Sequence, residues 1–338
     1  MKHQYIERNT RQVNTEQLYG NQAVQFLYSS IREQSPWLFR RLTSARVSRF
    51  LSYMNYCGIL TDRMKDYLNL QLTLNINAGE CVDPPDKMYS LRKIFERKIR
   101  YWQCRPMPND PRAIVSPADS RVLFGSFAET SSIFIKGKFF DYEEMLGLNK
   151  KTWLAAFRDG DFAIFRLTPE KYHYNHTPVA GKVIDFYPIS GSYHACNPNA
   201  VVSVVTPYSK NKRVVTIIDT NVDGGSHAGI VAMIEVVALM IGDIVQCYSE
   251  NEYDNPLSVG TGMFIKKGMP KSLFRPGSST VVLIFQKDRV RLADDITANM
   301  FYQDAESILS LGFDKSLVET DVKVRSYIGS AYEHKGSS

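Results

Sequence analysis

Three short stretches of the sequence combine titratable or nucleophilic side chains with residues that form turns. The first, SPADS at residues 116–120, places an aspartate after Pro-Ala and before an apolar run. The second, residues 165–181, contains His173 and His176, two of the six histidines. The third, RPGSSTVVLIF at residues 275–285, puts a glycine and two serines before a β-branched run that predicts a buried strand. A carboxylate, an imidazole and a hydroxyl together can activate a nucleophile, so the sequence offers the parts for nucleophilic or proton-transfer chemistry.

The histidine pair favours proton transfer over metal binding. Pro169 and Pro178 limit the length of any helix between them, which places His173 and His176 on one short, rigid segment. A zinc site of the protease type needs HExxH and a third ligand, and the five cysteines form no CxxC pair, so we predict no metal site. An imidazole titrates near neutral pH, which makes each histidine a candidate acid or base. The structural alternative is a histidine ring packed on a neighbouring tyrosine.

The other two stretches also have structural interpretations. Asp119 after Pro-Ala is common in Asx turns and caps, and Gly277 suits a tight turn. Hydrolases of the α/β type need GxSxG between a strand and a helix, and PGSST before a strand is not that motif. The sequence order leaves open whether Asp119, a histidine and Ser278 meet in the folded chain.

The region before residue 105 is predicted to contain amphipathic helices. Apolar residues recur twice at i, i+3, i+4 and i+7 between residues 21 and 56. They are Val24, Leu27, Tyr28 and Ile31, then Val47, Phe50, Leu51 and Met54. Basic and aromatic residues accompany them: Arg32, Arg40, Arg41, Arg46, Arg49, Trp37 and Phe39. Such helices suit the surface of an anionic bilayer, and the alternative is an ordinary solvated face over the core.

From about residue 113 the sequence is typical of short strands separated by Pro, Gly and Asn. The predicted strands lie within residues 114–124, 132–140, 161–169, 181–191, 201–207, 213–220, 229–245, 263–274 and 280–285. Their spacing is too short for regular βαβ crossovers, so we predict a mostly antiparallel core. The predicted fold class is α+β, with an N-terminal helical, membrane-docking region at residues 1–105 and a β-rich catalytic core at residues 106–338.

The charge and cysteine content exclude several classes of protein. Lys and Arg outnumber Asp and Glu by 41 to 35, and this net charge of +6 suits an anionic surface but falls short of a nucleic-acid-binding signature. Five cysteines without a CxxC pair indicate a reducing compartment. The polar N-terminus lacks the apolar core of a signal peptide, and Glu235 and Gly242 interrupt the longest apolar run. We expect a protein that is soluble or lies on a membrane surface.

Three blocks in this order resemble the phosphatidylserine decarboxylase family. They are SPADS, then FRLTPEKYHYNHTPVAGKV, then GMFIKKGMPKSLFRPGSSTVVLIF. The signatures of that family are PADG, Pro-x-x-Tyr-His-x-x-His-x-Pro, and a late Gly-Ser-Thr or Gly-Ser-Ser before an apolar strand. The similarity covers about residues 20–330, and LRKIFERKIRYWQCRP within it is similar to the family's FFxRxLKxxxRP.

The resemblance implies an inactive proenzyme that cuts its own chain between Gly277 and Ser278. Ser278 is the expected nucleophile, His176 its base, and Asp119 the residue that orients the base. Ser278 is then converted into a covalent pyruvoyl cofactor. The segment before the cut becomes the β chain, residues 1–277, and the segment after it becomes the α chain, which ends at residue 338.

The implied activity is that of a carboxy-lyase that converts phosphatidylserine, presented in an anionic membrane surface, to phosphatidylethanolamine and CO2. His173 is expected to assist decarboxylation or to reprotonate the α-carbon. Further expectations are peripheral docking at the cytoplasmic face of a membrane, no nucleic-acid partner, and a homodimer. Two alternatives stay open: a pyruvoyl-dependent decarboxylase of a free amino acid, and a non-processing homologue with a binding role.

The sequence departs from the family pattern at three places. Ser120 replaces the Gly of PADG, which adds a side chain next to Asp119. Pro276 precedes the expected cleavage site and restricts the residue before it to extended conformations. The segment IEVVALMIGDIVQ resembles the family's VGAxxVGSI loosely, with Asp243 in place of Ser. These departures make self-cleavage and substrate the points to test.

Overall fold

Short strands form the core of the folded chain. The computed structural model describes residues 2–18, 26–44, 76–88, 90–132, 139–204, 206–238, 243–275, 279–312 and 315–332. Its strands are β1 (Gln4–Glu7), β2 (Val13–Thr15), β3 (Ala113–Val115), β4 (Ser120–Ser126), β5 (Asp161–Leu167), β6 (Tyr174–His176), β7 (Gly181–Ile189), β8 (Arg213–Asp219), β9 (Ile230–Val236), β10 (Ile244–Gln246), β11 (Phe264–Ile265), β12 (Pro270–Phe274), β13 (Ser279–Phe285), β14 (Val290–Leu292), β15 (Glu319–Val322) and β16 (Tyr327–Ala331).

The helices in the described residues are short. They are α1 (Arg32–Gln34), α2 (Pro36–Leu42), α3 (Leu91–Phe95), α4 (Tyr101–Cys104), α5 (Tyr142–Leu146), α6 (Lys151–Ala156), α7 (Pro198–Ser203), α8 (Pro207–Lys210) and α9 (Asp294–Met300). A π-helical turn spans Leu27–Ile31, and 3-10 turns span Ala78–Glu80, Pro85–Lys87 and Ile308–Gly312. Within the described residues, no helix has both the length and the apolar character needed to cross a membrane.

A ten-stranded sheet carries the main core. Its order is β11-β7-β8-β9-β13-β5-β4-β15-β1-β2, and its neighbours are antiparallel except for the parallel pair β1 and β15. Strand β13 lies in the middle, between β9 and β5, and all seven of its residues are buried. Its continuous apolar run is what a strand buried on both faces requires. The predicted α+β class with a mostly antiparallel core is confirmed.

Two three-stranded sheets, β10-β12-β6 and β14-β16-β3, complete the described strands. In the first, β12 pairs antiparallel with β6, so that Leu273 lies opposite Tyr174 and Pro270 opposite His176. The chain therefore runs along the histidine block in β12 before it enters β13 of the large sheet. This crossing from one sheet to the other takes place around the expected cleavage site.

Residues 201–207 were predicted as a strand, and this prediction is wrong. Residues 201–203 lie in the second half of α7, and residue 207 begins α8. The side chain of Asn197 accepts a hydrogen bond from the amide of Asn199 and caps α7, and Pro198 stands in its first turn. These helix-start signals outweigh the β propensity of the valines that follow.

The N-terminal region differs in part from the expected helices. Strands β1 and β2 extend one edge of the large sheet, so residues 4–15 belong to the core sheet. The first predicted helix is described only from residue 26 onwards, as a π-helical turn followed by α1. The second predicted helix lies outside the described residues, as does most of the strand predicted at 132–140. The domain boundary at residue 105 stays a prediction.

Candidate active site

The loop that carries Asp119 joins β3 to β4 and is tightly hydrogen-bonded. The hydroxyl of Ser116 donates to the carbonyl of Ala118 at 2.8 Å, and that of Ser120 donates to the same carbonyl at 3.2 Å. The amide of His176 donates to the carbonyl of Pro117 at 2.7 Å. The SPADS loop and the histidine block, predicted from separate parts of the sequence, therefore lie side by side.

Ser120 is accommodated without strain in the position where the family has glycine. Its side chain is fully buried and donates the hydrogen bond to Ala118. The described residues other than glycine that have positive φ do not include Ser120. The loop therefore does not need the left-handed backbone that favours glycine at this position.

Asp119 is held by an arginine. Its carboxylate accepts two hydrogen bonds from Arg105, at 3.0 and 2.7 Å, and one from the amide of Val324 at 2.8 Å. Arg105 also pairs with Glu80 at 2.8 Å. Burial alone would raise the pKa of Asp119, but the hydrogen bonds and charge of Arg105 outweigh it and hold that pKa below its ordinary value. Asp119 is therefore a fixed negative charge in a buried site.

His176 is fully buried, and both nitrogens of its ring have hydrogen-bond partners. Nδ1 lies 2.9 Å from the carbonyl oxygen of Gly268, and Nε2 lies 3.0 Å from the hydroxyl of Tyr172. A carbonyl only accepts, so Nδ1 carries the proton and Nε2 accepts from Tyr172. Gly268 has φ +75°, a left-handed conformation that favours glycine, and its turn aims the carbonyl at the ring. Burial lowers the pKa of His176 to about 3, so the imidazole is neutral at physiological pH.

Asp119 and His176 are neighbours without being hydrogen-bonded to each other. Among the described residues, Asp119 contacts Arg105 and Val324, whereas the His176 ring contacts Gly268 and Tyr172. The charge of Asp119 acts through space and partly offsets the lowering of the His176 pKa. The predicted contact in which Asp119 orients the ring is therefore replaced by contacts from other residues. The catalytic roles of both side chains stay predictions.

His173 is fully buried in a different environment. Its ring centroid lies 4.8 Å from that of Phe95, whereas the His176 ring packs edge-on against Tyr101 at 4.8 Å. The carbonyl of His173 accepts a hydrogen bond at 3.1 Å from the amide of Phe274, the last residue of β12. The segment between Pro169 and Pro178 therefore consists of strand β6 and the residues just before and after it. Its two imidazoles lie in different surroundings.

Gly277 and Ser278 lie outside the described residues, together with Pro276. Both flanks are fixed. The amide of Arg275 donates to the carbonyl of Asp243 at 3.2 Å, and Ser279 opens β13 opposite Leu167 of β5. The chain that enters and leaves the expected cleavage site is therefore anchored in two different sheets.

A buried polar cluster, missed from the sequence, connects β12 to the large sheet. Lys271 and Glu235 are both completely buried and form an ion pair at 2.7 Å. Lys271 also donates to Gln246 at 3.0 Å, Ser272 donates to Glu235, and Asn175 donates to Ser272 at 3.0 Å. The signal in the sequence was Glu235, a lone charge within the apolar run of β9, which needs a buried partner. The cluster fixes β12 immediately before the expected cleavage site.

Removing one member of the Lys271–Glu235 ion pair should destabilise the fold. In the uncut Ser278→Ala background, Lys271→Met leaves Glu235 as an unpaired buried charge and should lower the free energy of unfolding by about 3–5 kcal/mol. The double variant Lys271→Met/Glu235→Leu should recover most of this loss, and urea unfolding measures both. Lys266→Met is the matched control because the Lys266–Glu250 pair is exposed, with side chains 57% and 45% accessible. An equal loss in both single variants would contradict the assignment.

A second buried cluster contains groups that often bind metals. His3, Glu16 and Glu319 place ligand atoms within 4.8 Å of one another. The guanidinium of Arg166 already lies among them, 2.6 Å from Glu16, 2.5 Å from Glu319 and 3.2 Å from His3. These contacts form an ion-pair cluster. It links residues next to β1 and β2 with Arg166 of β5 and Glu319 of β15.

Comparison with known proteins decides the family. The family model described as phosphatidylserine decarboxylase matches residues 91–310. The chain belongs to the phosphatidylserine decarboxylase family. The matched range includes Asp119, both site histidines and the expected cleavage site. The predicted family is confirmed, and with it the carboxy-lyase class.

Relatives from distant organisms align over most of the chain. The phosphatidylserine decarboxylase proenzyme of Fusobacterium nucleatum is 30% identical over 300 residues, which cover 88% of this chain and 92% of that protein. The proenzyme of Clostridium tetani is 28% identical over 306 residues, covering 88% and 94%. The phosphatidylserine decarboxylase proenzyme 2 of Oryza sativa is 33% identical over 241 residues, which cover 70% of this chain and 35% of that longer protein.

Proposed function

We propose that this chain decarboxylates phosphatidylserine to phosphatidylethanolamine, using a pyruvoyl group that it makes from Ser278 by cutting its own chain after Gly277. The observation that carries the proposal is His176, a buried and neutral imidazole in the strand paired with β12, which leads to the cleavage site. The family membership and the proenzyme names of the relatives agree with self-processing.

Self-cleavage requires a base and a rigid chain on both sides of the bond. His176, once its Nε2 gives up the hydrogen bond from Tyr172, takes the hydroxyl proton of Ser278, and the oxygen attacks the carbonyl carbon of Gly277. The bond from that carbon to the amide nitrogen of Ser278 then breaks as the nitrogen receives the proton, which gives an ester. Loss of the α-proton of residue 278 then expels the Gly277 carboxylate and leaves dehydroalanine. Addition of water and loss of ammonia complete the conversion. The anchored strands β12 and β13 keep the new chain ends in place.

The surroundings fit a polar group at residue 278. Ser279 Oγ is fully buried and has no hydrogen-bond partner among the described residues, so a polar atom next to it would find a partner. A pyruvoyl group supplies a carbonyl that draws electrons from the bond to the leaving carboxylate. His173, buried against Phe95 and paired through its carbonyl with the end of β12, is the residue we assign to reprotonating the product α-carbon.

The first helices support docking on an anionic membrane surface. Trp37 and Phe26 are 63% and 60% exposed, and Arg40 and Arg41 are exposed in the last turn of α2. Exposed aromatic and basic side chains on a short helix match the interface of a bilayer with anionic headgroups. We assign the docking to the cytoplasmic face because the described cysteines Cys81, Cys104, Cys196 and Cys247 are unpaired. A homodimer stays a prediction.

The substrate is tested with the purified, processed protein. Phosphatidylserine labelled in its carboxyl group and presented in vesicles should release CO2, whereas free L-serine should not. Hydroxylamine, which reacts with carbonyl groups, should abolish the release. The double variant Arg40→Gln/Arg41→Gln should lose vesicle binding while detergent-solubilised phosphatidylserine is still consumed. Release from free serine but not from vesicles would favour the amino-acid decarboxylase, and no release from a correctly cut protein would overturn the proposal.

A further inference from the structure

Arg275 is the last described residue before the expected cleavage site, and its guanidinium has donor capacity to spare. The Nε atom is buried and makes no hydrogen bond with any residue that the structure describes. The side chain as a whole is 39% accessible, so other parts of it face solvent. An arginine side chain carries five N–H donors and a permanent positive charge. Arg275 therefore offers charged donors close to the place where the pyruvoyl group is expected.

The two acidic residues that contact Arg275 are also paired with other cations. Glu96 lies 3.5 Å from the Nε atom of Arg275, but its two carboxylate oxygens accept from Arg92 at 3.1 and 3.2 Å. The carbonyl of Asp243 accepts from the Arg275 amide, whereas the carboxylate of Asp243 lies 3.3 Å from Lys212. Three cations thus share two carboxylates, which leaves a positive charge in excess beside the cleavage site.

The Arg275 side chain lies on the same side of the site as His173. Glu96, which it contacts, directly follows Phe95, and the Phe95 ring packs on the His173 ring with centroids 4.8 Å apart. Phe274, the residue before Arg275, donates its amide to the carbonyl of His173 at 3.1 Å. Two separate contacts therefore hold Arg275 near the histidine that we assign to reprotonating the product.

We propose that Arg275 binds the phosphodiester group of phosphatidylserine while the serine amine of the lipid reacts at residue 278. The inference rests on the proposed function, which supplies both the lipid substrate and the reacting residue. A guanidinium suits this ligand because its planar fork donates two parallel hydrogen bonds to phosphate oxygens. Free serine has no phosphate, so the same contact would favour the lipid over the free amino acid.

The dimensions of the substrate allow both contacts at once. In phosphatidylserine the phosphorus is separated from the amine nitrogen by four single bonds, a distance of roughly 5 Å. Arg275 precedes residue 278 by three positions, which span at most about 11 Å of extended chain. The long arginine side chain can therefore reach the phosphate of a lipid whose amine is held at residue 278.

The first readout is binding of the headgroup, which does not depend on turnover. Titration calorimetry of the purified protein with sn-glycero-3-phosphoethanolamine, the soluble headgroup of the product, should show roughly tenfold weaker binding to Arg275→Gln than to the wild type. Arg275→Lys, which keeps the charge but loses the fork, should fall between them. Free ethanolamine, which lacks the phosphate, should bind equally to the wild type and Arg275→Gln.

The second readout separates the phosphate from the amino acid. In detergent micelles, the KM of the processed enzyme for phosphatidylserine should rise roughly tenfold in Arg275→Gln with little change in kcat. O-Dodecyl-L-serine, which keeps the serine amine and carboxylate but lacks the phosphate, should be consumed equally by both. Arg291→Gln is the matched control because it removes an exposed arginine that also pairs with a carboxylate, and it should change neither value. Intact mass gives the processed fraction of each protein.

Two outcomes would overturn the inference and leave the proposed function intact. One is equal affinity of the wild type and Arg275→Gln for the headgroup, including binding too weak to measure in both. The other is an equal loss on phosphatidylserine and O-dodecyl-L-serine, which would assign Arg275 to the chain end released by cleavage. A wild type that does not consume phosphatidylserine would instead overturn the proposed function, while calorimetry still tests the phosphate site.

Discussion

His176→Gln is expected to stay a single chain under conditions in which the wild type cuts itself. The amide side chain keeps polar atoms in the cavity, but it cannot accept the Ser278 proton. Loss of a general base lowers a rate by about 10²–10⁴-fold. Gel analysis of freshly synthesised protein, followed over hours, measures the conversion of the full-length chain to two fragments.

His227→Gln is the control for this substitution because its residue is exposed in the loop between β8 and β9. It should cut at the rate of the wild type. If His176→Gln matched that rate, His176 would not be the base, and its burial and hydrogen bonds would have only a structural role. Circular dichroism of both variants establishes whether each one is folded like the wild type.

Asp119→Asn should lower the free energy of unfolding and slow self-cleavage. Without the carboxylate, Glu80 is the acidic partner that Arg105 keeps among the described residues, and the buried charge is poorly compensated. Breaking a buried pair in this way costs about 3–5 kcal/mol. Cleavage should slow as well, because the negative charge that favours proton uptake by His176 is gone. Urea unfolding in the Ser278→Ala background and cleavage rates in the Ser278 background measure the two effects.

The double variant Asp119→Asn/Arg105→Leu separates these effects. Removing the poorly compensated guanidinium should restore much of the stability. It also removes a positive charge that lowers the pKa of His176, so cleavage should recover only in part. Arg92→Ala, which breaks the surface pair Arg92–Glu96, should change stability by no more than about 1 kcal/mol. A wild-type cleavage rate in the single variant Asp119→Asn would contradict an electrostatic role for Asp119.

The Asp119–Arg105 pair makes the free energy of unfolding depend on pH. The pKa of Asp119 is lowered in the folded chain, so its contribution to stability is complete above the ordinary aspartate pKa and is lost as the pH falls through the folded-state value. Asp119→Asn should therefore reduce the steepness of acid unfolding below about pH 4.

Periodicity and turn residues were sufficient to predict the centre of the large sheet. The β-branched runs of β5, β8, β9 and β13 are buried strands because their apolar side chains are covered on both faces. Strand β15, ETDV, was not predicted because its Glu319 looks like a surface charge in the sequence. In the fold that carboxylate is buried against Arg166 and His3, and the burial depends on partners far away in the chain.

The candidate site could be predicted in its residue types but not in its connections. Asp119, His173 and His176 were identified by the resemblance, and the structure places the loop of Asp119 against the strand of His176. The partners that fix Asp119 and His176 include Arg105 and Gly268, which come from other parts of the chain with no local pattern of their own. Only the folded chain shows that Asp119 faces an arginine and that His176 faces a tyrosine.

The most direct test of self-processing is an intact-mass spectrum of the purified protein beside its Ser278→Ala variant. We expect two fragments from the wild type, one ending at Gly277 and one whose first residue, 278, is blocked as a pyruvoyl group. The variant should give one uncut chain. A single uncut chain of 38.5 kDa from both proteins, or a cut at another bond, would contradict a cofactor made from Ser278.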